Sequence, residues 1–424
     1  MTIIIAGAGI AGLTLGLSLR QIGVAAEIYE QVPELKPLGV GINVQPHAVR
    51  ELFEMGLEAD MDATGIRTRE LCYFTKKGLP IWSEPRGTEA GYRWPQFSVH
   101  RGKLHMMLLQ TAIAAGVPVH TGQAVTGVAE TADGVDVTLR GADGATRTVS
   151  GSLLVAADGI HSAVRAQFHP GEGAPRWSGA VLWRGTTVAK PFLSGASIAS
   201  AGHEFQKFVT YPIGPADPET GLALINWIAE RKFDPAMGWK REDYSRAGAD
   251  GDFLPWFEPW VFDWLDVPGL IRSAEQCYEY PMVDRDPLER WTFGRVTLMG
   301  DAAHPMYPIG SNGASQAILD ARVFARAVQD HGVGLDALAA YEAERRPATT
   351  RVVLANRGNG PDHVMQIVEE RCGGQFGHID EVLSPAERQA VADGYKKIAG
   401  MDVETLNQKP SIVVRSAPGA IAAQ

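Results

Sequence analysis

Four residues near the start of the sequence have the types and spacing of a dinucleotide site. Gly7, Gly9 and Gly12 form a G-x-G-x-x-G pattern, and Glu30 follows at the end of the next strand-like run. The first glycine permits a tight turn, the second lets the backbone approach a pyrophosphate, and the third allows close helix–strand packing. A carboxylate placed like Glu30 can accept hydrogen bonds from both hydroxyls of an adenosine ribose. These residues predict non-covalent binding of NAD or FAD, and the pattern alone does not distinguish the two.

Asp158 and Gly159 follow an all-apolar run and form a second candidate site. The run Leu153–Ala156 predicts a buried strand, and a helix is expected to begin near Ser162. An Asp-Gly pair after a strand either contacts a ligand or serves only as an Asx-capped turn into the helix. The residues alone leave both interpretations open.

A third candidate site surrounds Gly300 and Asp301. The apolar run Val296–Met299 predicts a buried strand that ends at Gly300, where another group can approach the backbone. Asp301 presents an acceptor-only carboxylate, which suits the hydroxyls of a polyol. A Pro- and Gly-rich loop then leads into a helix near Gly313, whose N-terminus directs N–H donors and a positive dipole end towards a ligand.

The elements predicted around these sites belong to an α/β fold with a second domain. Thr2–Ala6, Leu13–Ile22 and Ala25–Tyr29 predict the strand, helix and strand of a β-α-β nucleotide-binding unit. In residues 175–290, aromatic residues and proline cluster among strand-like runs, which predicts a mostly antiparallel sheet. Helices are expected over Ala314–Asp330, Leu335–Arg351 and Pro385–Ile398, and a loose arm over residues 408–424.

The composition excludes several classes of function. The chain has 424 residues and a net charge of −10, and this excess of acidic residues disfavours a nucleic-acid partner. Its 3 cysteines are widely separated, which argues against a disulfide framework or a metal site. No apolar run reaches the ~18 residues of a membrane span, and no signal peptide is recognisable. We therefore expect a soluble, cytoplasmic protein that binds no metal, membrane or nucleic acid.

In their order and spacing, the three motifs resemble those of the FAD-dependent aromatic-ring monooxygenases of the p-hydroxybenzoate and salicylate hydroxylase type, the group A flavoprotein monooxygenases. The resemblance covers roughly residues 1–350. Six shorter segments also resemble the 5-methylphenazine-1-carboxylate 1-monooxygenase branch of this family, at 38–46, 82–87, 100–102, 183–185, 280–287 and 312–320.

The resemblance implies a domain organisation and a set of cofactor contacts. A Rossmann-like, three-layer FAD-binding domain would consist of residues 1–174 and 291–350, with an inserted antiparallel-sheet substrate domain at 175–290. A strand region near 69–98 would join the substrate domain, and residues 351–424 would form a C-terminal helical segment and arm. The residues implied in FAD binding are Gly7, Gly9, Ala11, Gly12, Glu30, Val40, Gly41, Gln45, Arg101, Asp158, Gly159, Gly300, Asp301, Pro308, Gly310, Asn312, Gly313 and Ala314.

One departure from the family pattern bears on these contacts. Much of the family has Gly-x-Gly-x-Asn after the proline of the third motif, whereas this chain has Gly310-Ser-Asn312-Gly313. We therefore expect backbone contacts, rather than conserved side-chain contacts, at the pyrimidine edge of the flavin.

The implied activity is single-component aromatic hydroxylation. NADH or NADPH would visit transiently to reduce FAD, and O2 would then form a flavin C4a-hydroperoxide that oxygenates the substrate. The substrate would be aromatic or N-heteroaromatic, often a carboxylate, hydroxylated with or without decarboxylation, and the protein a monomer or homodimer. Trp183, Tyr211, Trp227 and Pro308 are the pocket candidates, although alternation along a strand directs about half of such residues to the core. Arg184 would either meet a substrate carboxylate or pair with a surface acid.

Two alternative functions stay open at this point. The same fold serves flavin-dependent halogenases and two-component monooxygenases, but the halogenase pattern Trp-x-Trp-x-Ile-Pro is absent, and the nearest stretch is Asn226-Trp-Ile-Ala229. An NAD-dependent dehydrogenase or a non-catalytic nucleotide sensor would use only the first motif. Such a protein leaves the glycine-rich segment from Gly300 to Gly313 unexplained.

Overall fold

Short apolar runs form the central strands of the computed structural model, which describes residues 2–234, 248 and 250–413. The described strands are β1 (Ile3–Ala6), β2 (Ala26–Tyr29), β3 (Gly41–Val44), β4 (Gly65–Thr68), β5 (Glu70–Phe74), β6 (Pro80–Pro85), β7 (Gln96–His100), β8 (Val119–His120), β9 (Gln123–Glu130), β10 (Val135–Gly141), β11 (Thr146–Gly151), β12 (Leu153–Ala156), β13 (Arg176–Ala189), β14 (Ser197–His203), β15 (Gln206–Pro212), β16 (Ala223–Lys232), β17 (Val261–Phe262), β18 (Leu265–Asp266), β19 (Cys277–Asp284), β20 (Thr292–Phe293) and β21 (Val296–Leu298).

The described helices are α1 (Ile10–Gln21), α2 (Pro46–Glu54), α3 (Glu58–Thr64), α4 (Arg101–Ala114), α5 (Ala163–Phe168), α6 (Asp250–Phe257), α7 (Val267–Arg272), α8 (Gly313–His331), α9 (Leu335–Arg357), α10 (His363–Cys372), α11 (Pro385–Ile398) and α12 (Val403–Gln408). Most of the arm expected at the C-terminus lies outside the described residues.

The first sheet has the order β20-β21-β12-β1-β2-β8, with parallel pairing throughout except at the β20–β21 edge. Its central strands β1 and β12 are buried on both faces, because helices and the small antiparallel sheet β11-β10-β9 pack against the sheet. Helix α1 follows β1 directly and packs against α4 and α8. The three predicted sites follow β1, β12 and β21, which are neighbours in this sheet. The predicted α/β fold with a Rossmann-like unit is confirmed.

The second sheet has the order β19-β13-β16-β15-β14-β5-β6 and is antiparallel except for the pair β14–β5. Side chains alternate between its two faces. One face packs on α6 and α7 around an aromatic core that includes Trp183, Trp227 and Phe253. The other face carries Ser200, Lys207 and other residues that line a cavity towards the first sheet.

The C-terminal helices pack on the outer strands of the second sheet. Val364, Met365 and Val368 of α10 form a small buried cluster with Tyr73 of β5 and Ile81 of β6. Helix α11 begins with a complete capping box, in which Ser384 and Glu387 satisfy each other's backbone N–H groups. These contacts bring the end of the chain to the side of the cavity.

His47 in the first turn of α2 is expected to make the stability of the fold depend on pH. The side chain is 3% exposed, and its burial, helped by the charges of Arg345 and Arg50, lowers its pKa from 6.5 to about 3. Between these two pKa values the unfolded chain binds a proton that the folded chain does not, so stability falls as the pH falls. Lowering the pH from 7 to 5 should cost about 2 kcal/mol through His47 alone.

Urea unfolding of the wild type and of His47→Gln at pH 7 and at pH 5 measures this contribution. The glutamine variant should lose less stability between the two pH values than the wild type. An equal loss in both proteins would show that His47 is not the group responsible.

Candidate active site

The glycine loop after β1 is shaped by two close backbone contacts. Gly7 has a φ of +94°, and a Cβ atom on it would lie 2.5 Å from the carbonyl oxygen of Ala157. A Cβ atom on Gly12 would lie 2.0 Å from the carbonyl oxygen of Gly7. By contrast, a Cβ atom on Gly9 would meet no protein atom within 4 Å. The first and third glycines are therefore needed by the fold, and the space at Gly9 is left open towards the cavity.

Backbone N–H groups bind both oxygens of the Glu30 carboxylate. The carboxylate is 9% exposed and accepts hydrogen bonds of 2.8 Å from the N–H groups of Ala8 and Val32. These bonds tie the glycine loop to the end of β2. Sequence reasoning assigned Glu30 to a ribose and did not foresee this second use of its oxygens, which arises because the two loops meet only in the folded sheet. The ribose contact stays a prediction.

Asp158 and its neighbours form the turn from β12 into α5. Oδ2 of Asp158 accepts a hydrogen bond of 3.0 Å from the Ala163 N–H, and Ser162 Oγ caps the helix by accepting from the Arg165 N–H. Oδ1 of Asp158 is buried and has no hydrogen-bond partner among the described residues. Burial raises the pKa of this carboxyl group. Gly159 lines the cavity whereas Asp158 does not.

Asp301 follows β21 and faces the cavity from deep inside the protein. The protein groups packed around Asp301 displace water from it, and this desolvation raises the pKa of the carboxyl group. Solvent still reaches the carboxylate from the side of the cavity. Asp301 makes no hydrogen bond or ion pair to the described part of the chain. A carboxylate in this state offers both oxygens to a ligand with several hydroxyl groups.

A buried ionic network behind Asp301 fixes the turn that presents it. Asp320 of α8 accepts hydrogen bonds from the Gly300 N–H at 3.0 Å, from His304 Nε2 at 2.5 Å and from Arg345 Nε at 2.6 Å. Burial alone would raise the pKa of Asp320, but the charges and hydrogen bonds of His304 and Arg345 outweigh it and lower the pKa. Asp320 is therefore a positioning residue for the cavity wall.

The loop before α8 lies against the C-terminal helix α11. Gly310 has a φ of +71°, and a Cβ atom on it would lie 2.0 Å from the hydroxyl oxygen of Tyr395. Asn312 Nδ2 donates to that hydroxyl at 3.0 Å, and the hydroxyl donates to Asn356 Oδ1 at 2.9 Å. Tyr395 also lines the cavity. Sequence reasoning missed this residue, because nothing near it in the chain indicates contact with a loop so far upstream.

Two polar residues of the second sheet hold β3 at the cavity. Asn226 Oδ1 accepts from the Gly41 N–H at 2.7 Å, and Arg184 Nη2 donates to the Gly41 carbonyl oxygen at 2.7 Å. Gln45 at the end of this strand donates from Nε2 to the Gly310 carbonyl oxygen at 3.3 Å. Arg184 thus binds a backbone carbonyl, and it forms no ion pair with an acid among the described residues, so the structure does not show the surface pair that was one of its two expected roles.

One cavity of about 420 Å³ lies between the glycine loop, β3, Asp301 and the loop before α8. From the predicted FAD residues its wall includes Gly9, Ala11, Gly41, Gln45, Arg101, Gly159, Asp301, Pro308, Gly310, Asn312, Gly313 and Ala314. The wall does not include Gly7, Gly12, Glu30, Val40, Asp158 or Gly300, which stand behind or beside it. Its polar part towards the first sheet suits a dinucleotide, since an open glycine loop, an unpaired carboxylate and Arg101 all face it.

Two of the four predicted pocket residues are placed elsewhere by the structure. Tyr211 and Pro308 line the cavity. Trp183 and Trp227 are fully buried on the opposite face of the second sheet, where Trp183 stacks on Phe253 with ring centroids 4.9 Å apart. Their indole N–H groups donate to Glu279 and Thr187 in that core. The strands were predicted correctly, but composition does not reveal which side of a strand faces a ligand.

Comparison with known proteins gives a consistent result. The family described as FAD binding domain matches residues 1–196 and 275–356. The phenazine 1,6-dicarboxylic acid hydroxylase PhzS of Lysobacter antibioticus is 46% identical over 363 residues, which cover 84% of this chain and 89% of that protein. The 3-hydroxybenzoate 6-hydroxylase 1 of Aquipseudomonas alcaligenes is 30% identical over 377 residues, which cover 84% of this chain and 87% of that protein.

A solved structure extends the similarity over nearly the whole chain. HpxO of Klebsiella pneumoniae, in complex with FAD and uric acid, superposes with a TM-score of 0.73 at 25% identity and covers 97% of both chains. Among the residues that the structure describes, no helix has the length and apolar character to cross a membrane.

Proposed function

The chain belongs to the FAD-dependent aromatic monooxygenases, and from this premise we propose that it hydroxylates an aromatic or N-heteroaromatic carboxylic acid with NADH or NADPH and O2. The observation that carries the proposal is the continuous cavity, which joins the glycine loop and Asp301 to an apolar slot on the second sheet. The family resemblance seen in the sequence is confirmed. The choice between NAD and FAD that the glycine pattern left open is resolved in favour of FAD.

When bound, FAD supplies the transfer of electrons from NAD(P)H and the activation of O2. We assign the polar wall of the cavity to holding it. Gly9 leaves space at the N-terminus of α1 for a pyrophosphate, Arg101 offers a cation, and Asp301 accepts from hydroxyl groups. The N-terminus of α8 at Gly313 directs N–H groups and a positive dipole end into the cavity, where they stabilise negative charge. Asn312, fixed by Tyr395, keeps that helix start in place.

The second sheet provides a slot for a flat ring. Leu71, Leu182, Ile198, Val209 and Ile228 all line the cavity from neighbouring strands. Apolar side chains of this kind bind an aromatic ring by burial and exclude water from the reacting edge. The relatives support an aromatic acid, because one is named for a phenazine dicarboxylic acid and another for a hydroxybenzoate.

We retain the domain organisation proposed from sequence. The two sheets support an FAD-binding unit from residues 1–174 and 291–350 and a substrate unit from 175–290, to which β5 and β6 contribute the strand region near 69–98. The cytoplasmic location and the monomeric or homodimeric state also remain proposals, and so does the transient visit of NAD(P)H.

The proposal is tested with purified protein and a panel of aromatic acids that includes benzoate, naphthoate and phenazine carboxylates. The protein should carry FAD, and a cognate acid should accelerate NAD(P)H oxidation at least about tenfold, with a hydroxylated product by mass spectrometry. Product formation that needed an added flavin reductase would favour the two-component alternative. Neither acceleration nor hydroxylated product across the panel would overturn the proposal.

A further inference from the structure

We propose that Arg86, Gln96, Ser200 and Tyr73 form a carboxylate subsite at one end of the cavity, which selects an aromatic acid over its neutral analogue. The inference deepens the proposed function and rests on it. Of these four residues only Arg86 lies in a short segment that the sequence singled out, at 82–87, and no role was given to it there.

Each of the four side chains holds a buried polar atom without a hydrogen-bond partner among the described residues. The atoms are Ser200 Oγ, Tyr73 OH, Arg86 Nε and Gln96 Oε1. Ser200 and Gln96 are each 2% exposed, and Tyr73 is fully buried. Buried polar atoms are nearly always hydrogen-bonded, because an unsatisfied one loses its solvation and gains nothing in return. A group of such atoms beside a cavity therefore indicates a polar ligand.

The four side chains occupy one region of the fold. Ser200 of β14 and Tyr73 of β5 are direct register partners in the second sheet. Arg86 follows β6, the next strand, and is the largest charge acting on the Tyr73 hydroxyl. The turn at Gly87 approaches the Gln96 backbone, because a Cβ atom on Gly87 would lie 2.5 Å from the Gln96 nitrogen. Arg86, Gln96 and Ser200 all line the cavity.

The charge at this end favours an anion. Glu84 forms ion pairs with Arg86 at 2.7 Å and with Lys396 at 2.6 Å, so one carboxylate is shared by two cations. The Arg86 guanidinium donates from Nη2 to Glu84 at 2.7 Å, and it also lies beside the Tyr73 hydroxyl. Arg86, Ser200 and Tyr73 can donate from the atoms that lack a partner, whereas Gln96 Oε1 only accepts and Gln96 would have to donate from its Nε2 group. Arg86, Lys396 and Glu84 together leave one excess positive charge beside these donors, which attracts the carboxylate of a ligand. Asp362 also acts on the Tyr73 hydroxyl, but its charge is paired with Lys207 at 2.8 Å.

The other two cations on the substrate side of the cavity are already engaged. Lys207 Nζ pairs with Glu230 at 3.2 Å and with Asp362 at 2.8 Å, so its charge is more than balanced. Arg184 donates to the Gly41 carbonyl oxygen and lies over the Tyr280 ring. Arg184 Nε is unpartnered among the described residues, and so is Asn226 Nδ2, which binds the same Gly41 peptide through its Oδ1. Asn226 does not line the cavity, so Arg184 offers the ligand a smaller group of donors than Arg86 does.

Ser200→Ala tests whether Ser200 binds the carboxylate of a ligand or only supports the fold. Ser200 Oγ has no hydrogen-bond partner among the described residues, so the alanine variant removes no bond from the fold. Holoenzyme is titrated with benzoate, 1-naphthoate and phenazine-1-carboxylate, and with the three matching carboxamides, and the flavin absorbance change reports each dissociation constant. In the wild type we expect at least one acid to bind about tenfold or more tightly than its amide. Ser200→Ala and Arg86→Gln should each remove most of that preference, through weaker binding of the acid rather than tighter binding of the amide.

Thermal unfolding in the absence of aromatic ligand supplies the second readout. Ser200→Ala should not lower the melting temperature, since it removes an unsatisfied buried hydroxyl. Thr14→Val is the matched control: Thr14 Oγ1 is also buried and unpartnered but lies in α1 away from the cavity wall. This control should leave the acid-to-amide ratio unchanged.

The outcomes separate the subsite from the proposed function. Equal binding of acids and amides by the wild type would overturn the subsite, as would a preference that survives both substitutions and disappears in Arg184→Gln. Either result could accompany efficient hydroxylation, in which case the proposed function stands. Conversely, a preference lost in both variants supports the subsite even where no member of the panel is hydroxylated.

Discussion

Replacing Gly12 with alanine is expected to leave the protein without FAD and to destabilise the fold by about 3 kcal/mol. The added methyl group would lie 2.0 Å from the Gly7 carbonyl oxygen and 3.3 Å from Ile5 Cγ2. Gly7 is itself pressed against Ala157, so the loop has no free direction in which to move. Relief would have to come from separating α1 from β1, and the proposed dinucleotide site lies at this junction. The measurements are the free energy of unfolding in urea and the ratio of flavin to protein absorbance.

Gly9→Ala is the matched control for that experiment. Gly9 has a φ of −74°, which alanine adopts readily, and the new methyl group would meet no protein atom within 4 Å. The apoprotein should therefore keep its stability to within about 0.5 kcal/mol. Its affinity for FAD should nevertheless fall about tenfold or more, because the methyl group would occupy space that the pyrophosphate needs. Wild-type affinity in Gly9→Ala would show that the cofactor does not approach Gly9.

This contrast also shows why the shape of the glycine loop could be predicted from the sequence. The requirements at Gly7, Gly9 and Gly12 arise within a few residues of one another, so their spacing carries the geometry. The same holds for Gly300 and Asp301 at the end of β21. The structure shows that Glu30 serves the loop as well as any ligand, which a pattern of residue types does not reveal.

The substrate side was predicted less well for physical reasons. Trp183 and Trp227 were placed on the correct strands, but a shift of one residue exchanges the two faces of a strand. Aromatic residues suit a core as well as a pocket, so their type did not decide the face. Tyr395 and Asp362 reach the cavity only through packing of the C-terminal helices on β5 and β6. Such contacts depend on tertiary structure and leave no local signal in the sequence.

The ion cluster formed by Lys207, Glu230 and Asp362 is the clearest case of such long-range dependence, and we expect Lys207→Met to destabilise the protein by about 3–5 kcal/mol. Lys207 and Glu230 are register partners on β15 and β16, and Asp362 approaches them from the turn before α10. Lys207 is buried, and the two carboxylates raise its pKa far enough to keep it charged. Methionine of similar length would remove the charge and leave two carboxylates facing each other in a poorly solvated site.

Two further variants show whether Lys207→Met destabilises the protein through lost charge or through lost packing. Lys76→Met removes a lysine from a more exposed ion pair with Glu369 and should cost no more than about 1 kcal/mol. The triple variant Lys207→Met, Glu230→Gln, Asp362→Asn keeps the side-chain sizes and removes all three charges, so it should recover most of the lost stability. If the triple variant remained as unstable as Lys207→Met, side-chain fit rather than charge would be the cause.

The stability of Lys207→Met should also depend on pH, and the protonation of Glu230 determines the direction of that dependence. Burial raises the pKa of Glu230, helped by the charge of Asp362, while Lys207 opposes the shift. Without Lys207 the pKa must rise further, so the folded variant takes up a proton at a pH where the unfolded chain does not. Stability relative to the wild type should therefore be lowest near pH 8 and improve as the pH falls towards the ordinary pKa of glutamate. Unfolding in urea at pH 8 and pH 6 measures this change, and a deficit that grew on acidification would contradict the electrostatic explanation. Because Asp362 belongs to the C-terminal segment, the same charges hold that segment against the second sheet.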